Sequence, residues 1–153
     1  MHFRVMTRLL LVAGAAATLG AVTPVPTGAQ QASFVVVVNA TNPASNIPKS
    51  ELAALFTKKT QEWEDGTPVY PVDLPGEDPT REAFTLAIHG KSPRAIRAYW
   101  QQQIFAGRQV PPPERDSDEQ VLTYVRTTQG AIGYVRATAR LGPGVKVVGL
   151  IAR

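Results

Sequence analysis

Asp78, Pro79, Thr80 and Arg81 stand in a row, and they hold the densest chemistry in the chain. An Asp followed by a Pro is favoured at a helix start. The carboxylate accepts from a free backbone N–H, and the proline sits where its missing N–H costs nothing. Two readings of Asp78 stand side by side. It is an N-cap worth about 1 kcal/mol, or it accepts a hydrogen bond from a donor-rich or cationic ligand. Arg81 likewise faces that ligand, or pairs with Glu77 or Glu82 on a solvated surface. Asp116, Asp118 and Glu119 form a second acidic group and read as helix-start charge favoured by the dipole. Glu77 and Asp78 read as loop solvation. Neither group has a flanking base or nucleophile.

The chain has 2 histidines, His2 and His89, and no cysteine. Thiol nucleophiles, zinc-thiolate sites and disulfides are excluded, and a catalytic triad or His-rich metal site nearly so. His89 beside Gly90 reads as a cation capping a helix C-terminus. Gly130-Ala131-Ile132-Gly133 lacks the spacing of a dinucleotide loop. No catalytic constellation emerges, so the expectation is a non-enzyme with no metal and no cofactor.

The elements that must position these residues follow from apolar periodicity. The β-branched run Phe34–Val38 reads as a strand buried on both faces, at the centre of a sheet. The segment 39–48 reads as a polar loop, and Leu52, Leu55 and Phe56 as one face of a short helix entered from Pro48. Asp65-Gly66 marks a turn. The strand 69–72 contains Pro71, which cannot donate to a ladder, so it belongs at an edge. A helix over 80–89 presents Phe84, Ala87 and Ile88 and stops at Gly90. Ser92-Pro93 opens the next helix, with Ile96, Tyr99, Trp100, Gln103 and Ile104 on its stripe and Gly107 at its end. Tyr99 and Trp100 are adjacent and cannot both point inward, and Trp63 and Trp100 read as core. Val110 to Pro113 is a stiff connector. A fourth helix buries Val121, Leu122 and Val125. Strands over 130–135 and 145–150 complete an α/β chain three layers deep, a mixed sheet flanked by helices. Phe56, Phe84, Ile132 and Val147 are expected in one buried cluster.

The chain of 153 residues is 44% hydrophobic and 18% charged, which fits one globular domain. The first thirty residues read differently. His2, Arg4 and Arg8 precede an uncharged run from Leu9 to Val22, followed by Pro24, Pro26 and Thr27-Gly28-Ala29. That is the layout of a secretory signal of the general export route, with cleavage after Ala29. The run is shorter than the roughly 20 residues that span a bilayer. Removing residues 1–29 takes Arg4 and Arg8 away, and the net charge of +4 falls to +2. A surplus that small is no nucleic-acid footprint. The expected location is the periplasm or the secreted fraction, with no stable membrane insertion after cleavage.

Four segments carry a resemblance: Lys49 to Phe56, Trp63-Glu64-Asp65-Gly66, Thr80 to Phe84, and Gly130 to Val135. In this order they resemble the phosphate-binding proteins of bacterial ABC importers, of the type 2 periplasmic-binding fold. There the pattern is an E-L-x-x-I-F helix, a W-x-D-G turn, an S-G-T-R-x-x-F helix start and a G-A-I-G-Y strand. The resemblance runs from about Phe34 to Leu150 and covers roughly one of that family's two lobes. It implies ligand binding at helix N-termini, lined by Asn39, Thr41, Thr80 and the turn at Gly130, with Asp78 and Arg81 beside them. It implies as partners a small anion or other small solute, and an ABC permease or other periplasmic protein.

The chain departs from the pattern where phosphate is gripped. Asp78 and Pro79 replace Ser and Gly, and only Thr80 survives. Two unit charges 4 Å apart at an effective dielectric near 20 interact by about 4 kcal/mol. That repulsion offsets much of what several charge-assisted hydrogen bonds supply, at about 1.5–3 kcal/mol each. The expectation is an exported, non-catalytic, solute-binding-like protein with a degraded phosphate cradle. The alternative is a periplasmic interaction or accessory module with no small ligand.

Overall fold

The computed structural model describes residues 33–152. The segment read as a signal peptide lies outside the described residues. Strand β1 is Phe34–Asn39, β2 is Asn46–Pro48 and helix α1 is Lys49–Phe56. Then come β3, Tyr70–Pro71, and three helices: α2, Pro79–His89; α3, Pro93–Phe105; and α4, Asp118–Thr127. Strands β4, Ala131–Arg136, and β5, Val145–Ile151, follow.

The sheet runs β2-β5-β1-β4-β3. Strand β1 pairs antiparallel with β4 and β5, while the short outer strands β2 and β3 pair parallel. The β-branched run therefore lies at the centre, and Pro71 sits in an edge strand, as their composition dictates. One sequence expectation is corrected. Residues 46–48, read as loop, form β2, because buried Ile47 pairs with Leu150 beside the C-terminal half of β5. A three-residue strand ending in Pro48 carries too little alternation to be visible in sequence.

Helices cover both faces. On one face Phe34, Phe56, Phe84 and Tyr134 pack together, bringing α1 and α2 onto the sheet. On the other, Val121 and Val125 of α4 close over Gly133, where a Cβ would lie 2.8 Å from Val121 Cγ1 and Val72 Cγ1. Any side chain there would separate α4 from the sheet.

The expected cluster of Phe56, Phe84, Ile132 and Val147 holds for its first three members, which are buried. Val147 is 46% exposed. Register explains the correction. Val147 pairs with Val37, whose other partner is Gly133, so it points to the α4 face. Ile132 pairs with Val38, one step along, and points the other way. Ala87 and Ile104, expected on buried stripes, are also exposed, and Thr85 is buried on α2 instead.

Candidate functional site

Helix α2 begins as its sequence dictates. Asp78 is the N-cap with extended backbone, and its Oδ1 accepts from the Thr80 N–H at 2.7 Å. A helix start leaves four backbone N–H positions without an intrahelical partner. Here the Asp78 N–H donates to the Pro75 carbonyl, Pro79 has none, and the Thr80 N–H is taken by Asp78. Arg81 N–H is the fourth. Thr80 itself is 4% exposed.

Arg81 pairs with neither Glu77 nor Glu82, which corrects one of the two readings of it. Its Nη2 lies 3.0 Å from Asp73 Oδ2, and its Nη1 donates to the Leu74 carbonyl at 2.6 Å and to Glu114. The other Asp73 oxygen accepts from the Leu74 N–H at 3.0 Å and from the Tyr134 hydroxyl. A carboxylate with donors on both oxygens is the condition under which burial of charge is tolerated. Burial lifts the Asp73 carboxyl above its ordinary pKa, against the pull of Arg81, Tyr134 and Leu74. Burial would lower the Arg81 pKa, but Asp73 and Glu114 more than offset it and hold the guanidinium charged. Tyr134 is raised by burial and then by Asp73, so its hydroxyl keeps its proton and donates.

Asp73, Glu114 and Tyr134 went unread in sequence as partners of Arg81. They come from the loop after β3, the residue after the proline connector, and β4. The one local signal was an acid wedged between Val72 and Leu74, both wholly buried.

The six expected site residues fall into two groups. Asp78, Thr80 and Arg81 stand at the end of the sheet where Phe34 pairs with Arg136, and Asp78 lies close enough to Arg136 to favour its charge. Asn39, Thr41 and Gly130 stand at the opposite end, five residues or about 17 Å along β1. There Asn39 braces α4. Its Nδ2 donates to the Val125 and Arg126 carbonyls at 2.9 and 3.1 Å, and its Oδ1 accepts from the backbone and hydroxyl of Thr41. The Gly130 carbonyl accepts from Trp63 Nε1 at 2.9 Å and from the Tyr70 N–H. Gly130 has φ +79, and a Cβ would lie 2.1 Å from the Pro68 carbonyl oxygen, so only glycine fits.

His89 is corrected as well. Burial, with Lys91 nearby, pushes its pKa down to about 4, so it is a neutral ring at neutral pH. It lies edge-on to Phe84 at 6.0 Å. Gly90, left-handed at φ 60, closes the helix.

Several hollows flank the ends of the helices. One of about 300 Å³ is lined by Gly76, Arg81, Arg97, Trp100, Pro111 and Glu114. An open groove of about 520 Å³ lies beside the start of α4. Its Arg136 pairs with Asp118 at 2.6 Å, and its Arg126 holds the Pro143 and Leu141 carbonyls. Among the described residues, no helix is long and apolar enough to cross a membrane.

Among the solved structures that share the fold are three bacterial ones. One, assigned as a phosphate ABC transporter substrate-binding protein with bound phosphate from Clostridium perfringens, aligns at TM-score 0.61 and 17% identity. An ABC-type phosphate transport receptor from Vibrio cholerae aligns at 0.61 and 16%, and PstS from Borrelia burgdorferi at 0.59 and 12%. Each alignment takes in 77% of this chain, against 44%, 46% and 47% of the other in that order. The chain thus spans less than half the length of these structures. No curated protein matches it. The profile of the PBP superfamily domain matches residues 27–147, most of the sequence, and by that match the chain belongs to the PBP superfamily.

Proposed function

We propose that this chain is an exported, non-catalytic solute-binding domain of the phosphate-importer kind whose phosphate cradle is closed from within. The observation that carries the reading is the 2.7 Å hydrogen bond from the Thr80 N–H to Asp78. It places a carboxylate over the donor that an anion needs, while Pro79 withholds the neighbouring one. Arg81 turns away into the Asp73 pair, so its guanidinium does not replace the lost donors. Export rests on the signal-like layout of residues 1–29, and partnership with an ABC permease on the superfamily. A small solute other than phosphate has room in the hollow of about 300 Å³ beside Arg81.

The alternative reading, an interaction module without a small ligand, is favoured by the bare apolar residues at the end of α3. Calorimetric titration with inorganic phosphate at moderate salt, alongside size-exclusion chromatography, tests the first reading. The expected result is no binding tighter than about millimolar, roughly −4 kcal/mol. Micromolar binding by the monomer overturns the closed cradle.

A further inference from the structure

We propose that the outer face of α3 and the turn after it bind the surface of an anionic lipid bilayer. Between Glu82 and Glu114 the sequence contains no acid, yet it holds Lys91, Arg94, Arg97 and Arg108. The remaining residues of 33–152 carry nine cations and twelve acids. The positive surplus of the described chain is therefore local to this one segment.

The same segment bears the barest apolar group of the described residues. Phe105 is 90% exposed, Val110 61% and Ile104 51%. Arg94, Ala98, Gln101 and Phe105 follow at i, i+4, i+7 and i+11, one stripe of the helix about 16 Å long. Ile96 and Trp100, on the opposite side, are the residues α3 buries. Arg97 leans over Gly76 into the hollow with Glu77 and Glu114, so those acids lie behind the stripe and not on it.

Arg94 on the stripe and Arg108 after it, with a protruding aromatic and two aliphatic side chains, match the headgroup boundary of a bilayer. The arginines meet lipid phosphates there, and the apolar tip enters the acyl edge. The bareness of Phe105 favours lipid over an acidic protein. A side chain bared to 90% needs a pocket in a protein partner but none in a fluid interface. The contact is a reversible one at the surface and spans nothing.

The absence of cysteine from the sequence permits a clean test on the full chain. Nitroxide labels are placed at Gln101→Cys, on the stripe, or at Glu64→Cys, on the exposed turn near Gly130. Accessibility to oxygen and to an aqueous relaxant is then read with vesicles of phosphatidylcholine alone or with phosphatidylglycerol added. The expected result is that the Gln101 label becomes lipid-accessible only on anionic vesicles and the Glu64 label stays in water. High salt should reverse the effect, and Phe105→Ser or Arg94→Glu should weaken it at least tenfold. If residues 1–29 tether the chain to vesicles, the two labels still report which face enters lipid. An aqueous Gln101 label on anionic vesicles overturns the proposal. So do equal signals from both labels, or a response of the Gln101 label to polyglutamate but not to vesicles.

Discussion

Phe84 and Phe105 are the same residue on neighbouring helices, and they sit in opposite surroundings. Phe84 is 2% exposed and stacks on Tyr134 at 3.9 Å, with Phe34 and Phe56 around it. Phe105 is 90% exposed at the end of α3. Both helices open on a capping residue followed by Pro, so their starts do not distinguish them. The surface each helix lies on does. Helix α2 is clamped between the sheet and α3, and Arg81 ties its first turn to Asp73. Helix α3 buries Ile96 and Trp100, its Tyr99 hydroxyl donates to the Thr57 carbonyl, and Ile104 and Phe105 at its end are exposed. Buried apolar surface on α2 stabilises the fold, whereas the bare ring at the tip of α3 contributes little to it.

The largest break in that contrast is Phe84→Ala. Loss of a fully buried ring should cost about 3–5 kcal/mol, lowering the melting temperature by more than roughly 10 °C for a domain of this size. Thermal unfolding followed by circular dichroism reads it. A melt within a degree or two of the parent would remove Phe84 from the core. Next comes Arg81→Met, which leaves Asp73 buried without its cation and should cost about 3 kcal/mol. Urea unfolding measures it, and adding Asp73→Leu should return part of the loss. Additive losses would mean that the pair is not coupled.

The third prediction concerns pH. The His89 pKa falls from 6.5 when unfolded to about 4 when folded. The unfolded chain therefore binds the extra proton first as pH falls. The contribution of the neutral ring is complete above pH 6.5 and is lost as pH drops toward 4. At about 1.4 kcal/mol per pK unit, and with the ring partly solvated, the loss is about 2 kcal/mol. His89→Gln should flatten that part of the stability profile between pH 7 and 4.5. An unchanged slope would show a solvated imidazole. The smallest effect belongs to Phe105→Ser, which should change stability by less than about 0.5 kcal/mol. A larger loss in urea unfolding would show that the tip packs on its own chain.

The sequence disclosed those parts of the molecule whose cause is local. The β-branched run at Val35–Val38, the caps at Asp78 and Ser92, and the edge role of Pro71 each follow from one or two residues and their neighbours. The face of Val147 did not, because it depends on which residue of β1 lies opposite, and a register is a pairing between distant segments. The cluster of Asp73, Arg81, Glu114 and Tyr134 was hidden for the same reason: four segments supply it. Asp78 was legible as a cap and as a ligand acceptor alike, and the hydrogen bond to Thr80 shows the cap. Asn39, Thr41 and Gly130 were grouped with the start of α2 through the resemblance, and only the register shows that they stand at the far end of the sheet.

The central proposal is that the start of α2 refuses phosphate because two of its N–H donors are taken within the chain and Pro79 lacks a third. Restoring Ser and Gly at those two positions, Asp78→Ser with Pro79→Gly, removes the carboxylate and returns one N–H. Calorimetric titration of the parent and the double variant with phosphate, at one ionic strength and neutral pH, compares them directly. The account predicts at least a tenfold gain in affinity, about 1.4 kcal/mol, provided that the variant keeps the parent's far-ultraviolet spectrum. A folded variant with no gain, or a parent that already binds phosphate at micromolar concentration, would contradict it.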